Sequence, residues 1–181
     1  AFTFATAISV SAFAQQTPQS IADAELPSLI TIYKDLHTHP ELSGHEERSS
    51  GIVAKELKAA GYEVTDHVGK YEKPTWTGFG VIGVMKNGDG PVVAVRTDLD
   101  ALPVHEETGL PYASKATTKN DAGQEVSVMH ACGHDIHMST FIGTARALAK
   151  LKDKWHGTLI LIGQPAEEAV GGARALLKDG L

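Results

Sequence analysis

A single cysteine, Cys132, serves 181 residues, so no disulfide can form within the chain. A basic excess is also missing: 16 Lys and Arg face 22 Asp and Glu, for a net charge of −6. With no basic run and no aromatic-basic interleaving, the sequence carries no nucleic-acid footprint. Beyond residue 14 no apolar run is long enough to span a bilayer. There is no internal repeat and no low-complexity array, which excludes solenoids and propellers. What remains is long enough for one domain with a sizeable core.

Residues 1–14, AFTFATAISVSAFA, read as the apolar part of a secretory signal without its basic n-region, with Ala12-Phe13-Ala14 as the cleavage site. A short anchor helix is the alternative, against which the shortness of the run argues. Residues 15–20 are expected to be a polar linker and residues 21–181 the folded part, in an exported protein, periplasmic or secreted. An unpaired thiol in such a protein calls for an explanation, and metal ligation supplies one.

Apolar residues at mostly three- and four-residue intervals from Ile21 to Leu36 predict an amphipathic helix, stopped before Pro40. Ser43 and Glu46 have the spacing of a capping box, opening a helix that Gly61 closes. Tyr62, Val64 and Val68 alternate as in a half-buried strand. The runs 79–86 and 91–97, joined by Asn87-Gly88-Asp89-Gly90, predict an antiparallel hairpin. Met138, Phe141, Ile142, Ala145, Leu148 and Leu151 mark a helix, Thr158 to Gly163 a strand covered on both faces, and residues 172–178 a last helix. Alternating helices and strands predict an α/β fold.

The chemistry concentrates at residues 128–137, where three of the nine histidines flank the only thiol. Cys132 and His134, two apart across Gly133, can turn to one side of a bent backbone, and thiolate with imidazole suits zinc and its neighbours. Each residue alone is more often structural, as a buried apolar Cys or a hydrogen-bonded His. Together they point to a metal site. Glu167 and Glu168, just past the end of a central strand, are the candidate partners. Adjacent carboxylates can divide the work, one binding an ion and the other acting as a base, because neighbouring side chains in extended backbone diverge. A divalent ion lowers the pKa of bound water from 15.7 toward about 7, so the pairing suits metal-assisted amide or ester hydrolysis. His37-Thr38-His39 is a rival His-x-His pair, but it follows a helical pattern in a chain short for an eight-stranded barrel, so it is assigned to loop packing or the site margin.

Four blocks in order, Asp35 to Leu42, Arg96 to Pro103, Met129 to Asp135 and Gln164 to Glu168, resemble those of the aminoacylase-like metal-dependent amidohydrolases. That family includes hippurate hydrolases, N-acyl-amino-acid amidohydrolases and indole-acetyl-amino-acid hydrolases, and is related to zinc carboxypeptidases. The resemblance implies a three-layer αβα sandwich with a mixed sheet. It implies two divalent metal ions (Zn, Mn, Ni or Co) held by Cys132, His134 and Glu168, with Glu167 as general acid/base. Asp98, in a motif where Arg96 replaces the usual His, would orient or tune the site. His130, Asp135 and His137 would be hydrogen-bonding supports rather than ligands.

The family's further His ligands, and an inserted lid domain that also dimerises, would lie beyond residue 181, so the sequence reads as the N-terminal part of a longer, homodimeric enzyme. The expected substrate is a small N-acyl or N-aroyl amino acid, cleaved at its amide bond. A metallo-carboxypeptidase or dipeptidase of the same fold, and a metal-binding fragment without turnover, are the alternatives.

Overall fold

The computed structural model describes residues 17–181; the presumed leader, and Gln15 and Gln16 of the presumed linker, lie outside the described residues. Helix α1 spans Pro18–Thr38, with Thr17 as its N-cap, so residues 18–20 form a first helical turn rather than linker. Thr17 and Ser20 satisfy each other's backbone and side-chain groups there, as a capping box does. Helix α2 (Glu47–Ala59) leads to strand β1 (Glu63–Val68), followed by β2 (Gly80–Asn87) and β3 (Val92–Asp98). A small antiparallel ribbon, β4 (Thr117–Lys119) and β5 (Glu125–Ser127), interrupts the long polar segment that sequence periodicity leaves featureless. Helix α3 (His134–Lys150), strand β6 (Gly157–Gln164) and helix α4 (Gly172–Lys178) complete the order.

The expected hairpin between β2 and β3 does not form. The main sheet has the order β1-β2-β6-β3, with β6 inserted between the two runs, antiparallel to β2 and parallel to β3. The Asn-Gly-Asp-Gly segment opens wide enough to admit the start of β6. Gly157 faces Asn87, Thr158 faces Val92, and Asn87 donates hydrogen bonds to the carbonyls of Lys152 and Trp155 at 2.7 and 2.6 Å. A continuous apolar strand must pair on both edges and cover both faces, which outweighs a local turn preference.

Helices α2 and α3 cover one face of the sheet. Leu36, Leu57, Val81, Met138, Ile142 and Leu161 are wholly buried there, each side chain stabilising the fold by roughly 1.5–3 kcal/mol. Alternation along β2 puts Gly83 against Leu57 of α2 and Gly80 against Leu176 of α4. Helix α4 therefore lies on the opposite face, at one end. Of the expected third layer, the described residues supply α4 alone.

The expected capping box at α2 is absent as well. The Glu41 carboxylate accepts from the backbone N–H of Arg48 and Ser49 at 2.9 and 2.7 Å and caps this helix instead. Ser43 and Glu46 turn inward, where buried partners require them. No helix among the described residues is long and apolar enough to cross a membrane.

Candidate metal centre

The parallel pairing of β3 with β6 creates the site. Asp98 lies opposite Gln164, and the Leu99 N–H donates to the Gln164 carbonyl at 3.0 Å, so both strands end side by side. Asp100, two residues past β3, and Glu167 and Glu168, just past β6, therefore emerge together at the carboxyl edge, where α/β sheets place their ligands. Gly133, at φ 77°, lets the chain enter α3 in a left-handed conformation and brings His134 under the same edge.

His134, Glu167 and Glu168 each offer a ligand atom within 4.8 Å of the others. His134 Nε2 stands 3.8 Å from Glu167 Oε2 and 4.0 Å from Glu168 Oε1. These gaps are too long for hydrogen bonds. They suit an ion between the groups, since two atoms each about 2 Å from one ion are at most about 4 Å apart. Glu168 Oε1 is buried without a partner, as a ligand atom awaiting a cation would be. Cys132 is exposed and lies beside Glu168, outside that tight trio. The structure thus brings together three of the four residues singled out as ligands or base and sets the fourth at their margin.

Asp100 is the residue the sequence reading did not single out. Its backbone carbonyl accepts from His134 Nδ1 at 2.8 Å, which keeps the proton on that nitrogen and turns Nε2 toward Glu167 and Glu168. Its carboxylate, fully buried, accepts from Ser43 Oγ at 2.6 Å and from the Glu168 N–H at 3.0 Å. One residue, through its carbonyl and its carboxylate, therefore joins both halves of the centre. Burial raises its pKa, but hydrogen bonds from His134, Ser43 and the Glu168 backbone outweigh that and keep it ionised. No period or motif spacing distinguishes Asp100 from Asp98.

Asp98 pairs with Arg96 at 2.5 Å, and Arg96 also donates to Gln164 at 2.6 Å. Burial raises the Asp98 pKa despite that pairing, and its charge acts on His134 through space. Burial pulls the His134 pKa down, but the hydrogen bond and charge of Asp100, with Asp98 behind it, drive it up to about 9. The Glu168 carboxylate beside Cys132 pushes its thiol up to about 11, with burial and Glu167 adding to the effect. A site so rich in negative charge holds its protons until a cation replaces them.

The remaining candidates are supports or bystanders. His37 is buried at the end of α1 with Nδ1 2.6 Å from Asp135 and Nε2 3.0 Å from Glu106; two carboxylate acceptors require an N–H on both nitrogens. Burial opposes that charge, yet the two hydrogen bonds prevail and raise its pKa. His39 Nδ1 donates at the surface to the Asp35 carbonyl at 2.8 Å. His130 is buried with neither ring nitrogen partnered, and burial lowers its pKa to about 4. The exposed His137 ring lies 5.8 Å from that of His134.

Glu46 is a second residue the sequence reading placed elsewhere. Wholly buried, it accepts through Oε1 from the Gly44 N–H at 2.9 Å and the Ala166 N–H at 2.8 Å. Ala166 holds φ 49°, the left-handed kink from which Glu167 and Glu168 emerge. Gly172 closes the same turn, since a Cβ there would lie 1.5 Å from the Pro165 carbonyl oxygen.

Residues 94–181 match the model of peptidase family M20/M25/M40. A crystal structure of a dinuclear metal-binding peptidase of the M20 family from Bacillus subtilis superposes with a TM-score of 0.72 at 40% identity, covering 87% of this chain and 40% of that one. The chain belongs to the M20 peptidase family. It is 37% identical over 167 residues to N-acetyl-L-cysteine deacetylase of Bacillus subtilis, covering 92% of this chain and 36% of that protein. To hippurate hydrolase of Campylobacter jejuni it is 41% identical over 151 residues, covering 83% of this chain and 34% of the relative. The chain thus spans a little over a third of the length of these M20 relatives.

Proposed function

We propose that this chain carries the metal-binding half of an amidohydrolase that cleaves the amide bond of an N-acyl or N-aroyl amino acid. The observation that carries the reading is the geometry of His134. Its Nδ1 is committed to the Asp100 carbonyl, while its Nε2 faces two carboxylates across gaps of 3.8 and 4.0 Å. The names of the deacetylase, the hippurate hydrolase and the dinuclear metal peptidase point the same way.

In this reading Cys132, His134 and Glu168 hold two divalent ions, which when bound polarise the amide carbonyl and acidify water. Donors of sulfur, nitrogen and oxygen in one set fit zinc, nickel, cobalt or manganese. Glu167, with a side chain about two-fifths exposed, is placed to take a proton from the attacking water and return it to the departing amide nitrogen. Glu168, with a largely buried side chain and an Oε1 that has no hydrogen-bond partner, takes the ligand role. Asp98 and Arg96 brace the β3 end of the site, with Asp98 tuning His134 by its charge. Export and a homodimeric whole protein belong to the same proposal, the former resting on residues 1–14.

The test uses the protein that carries this chain. Glu167→Gln should retain its metal content and lose hippurate hydrolysis by at least about a hundredfold, the typical contribution of a positioned general base. Undiminished turnover in that variant would reject the assigned base.

A further inference from the structure

Beside the metal centre lies a pocket of about 210 Å³, shared by five segments of the chain and lined by Leu42, Trp76, Leu102, Pro103 and Asp121, with Glu168 and Ala169 on one wall. It shares Glu168 with the metal centre, so a substituent on a carbonyl held at that centre lies next to its wall. We propose that this pocket receives the acyl group of the substrate and selects a benzoyl-sized apolar group over acetyl. This rests on the amidohydrolase reading above.

Its size supports the assignment. An apolar cavity of about 150 Å³ is enough to bind benzene, so about 210 Å³ admits a phenyl ring with its carbonyl attachment, whereas an acetyl group would leave most of it unfilled. The charge of its lining decides which end of the substrate enters. The lining contains Asp121 and Glu168, no Lys or Arg, and one imidazole, His45, which itself faces Asp121 at 4.0 Å. Lys73, nearby, is already paired with Asp121 and stands 4.3 Å from the centre of the Trp76 ring. An amino acid's free carboxylate would enter beside two carboxylates with no Lys or Arg in the lining to receive it; a neutral acyl group meets no such penalty.

The wall is also held in place. Gly44, at φ 79°, lets the Trp76 indole lie against its backbone, where a Cβ would come within 2.4 Å of the ring. The indole N–H donates to the Asp121 carboxylate at 3.2 Å. Ser43 Oγ is bound to Asp100, so one pocket-lining residue shares a hydrogen bond with the carboxylate of the residue that joins both halves of the metal site. A pocket braced from both sides discriminates by shape.

The experiment uses the protein that carries this chain with Trp155→Phe, so that of the two indoles in these 181 residues Trp76 alone remains. Benzamide and acetamide are titrated against Trp76 emission, and cobalt binding is followed separately by its thiolate absorption. Benzamide should give a saturable change, and acetamide should bind at least about tenfold more weakly, since even one methylene in an apolar pocket is worth that much. Ala169→Phe, at an exposed position on the rim, should abolish the benzamide response and leave cobalt binding intact. Equal responses to both amides, or a benzamide response unchanged by Ala169→Phe, would overturn the proposal while cobalt binding kept the hydrolase reading in place. Benzamide binding in a chain that takes up no cobalt would overturn both.

Discussion

Glu46 offers a prediction that can be worked from the structure in some depth. Its side chain is fully buried, its Oε1 accepts two backbone N–H groups, and its Oε2 is buried with no partner. Burial, reinforced by the nearby Asp100 charge and only partly offset by the two N–H donors, raises its pKa from 4.5 to about 7. A carboxyl that binds its proton more tightly folded than unfolded stabilises the fold below about pH 4.5. That contribution is lost as pH rises through about 7. Two and a half pKa units correspond to about 3 kcal/mol, most of which falls between roughly pH 5 and 8. Glu46→Gln keeps the acceptor for Gly44 and Ala166 but cannot ionise. Urea unfolding of both proteins across that range, at constant ionic strength, should show the Gln variant gaining on the parent by roughly 2–3 kcal/mol as pH rises. Using the difference between the two proteins cancels the histidines, which titrate in both. A pH-independent difference would refute the argument, because it would mean that the buried carboxyl is as easily ionised in the fold as in the unfolded chain.

Single contacts carry the other expected outcomes. Glu46→Ala should cost about 3 kcal/mol near pH 5, where the parent carboxyl is protonated, because two buried N–H groups lose their acceptor and a cavity opens, and the cost should shrink as pH rises; urea midpoints measure it. Gly172→Ala should cost more than about 2 kcal/mol and weaken cobalt binding, since its Cβ meets the Pro165 carbonyl oxygen and the backbone must shift beside Glu167 and Glu168; an unperturbed cobalt titration would count against that coupling. His37→Ala should destabilise by roughly 3–5 kcal/mol by leaving Asp135 and Glu106 buried without their cation. With His134 held near 9 and Cys132 near 11, both are protonated at neutral pH. Filling the site should therefore release about two protons and tighten binding as pH rises, as calorimetry in buffers of different ionisation enthalpy would show.

Much of this protein is legible along the chain. The spacing of Met138, Phe141, Ile142 and Ala145 marks the buried face of α3, and all four are buried. The unbroken run Leu159 to Ile162 announces a central strand, which β6 is. The four motif blocks lead to the M20 family and place His134, Glu167 and Glu168 in one site. These are properties of residue type and period, which the sequence displays directly. Only tertiary structure could insert β6 between β2 and β3, because strand order depends on which edges remain to be paired after a local turn has formed or opened. Only tertiary structure could draw Glu46 and Ser43 away from a helix cap into the interior, or make Asp100 the link between residues 34 and 68 positions away. Buried polar groups must find partners wherever the fold brings them, and those partners share no period with the residues they bind.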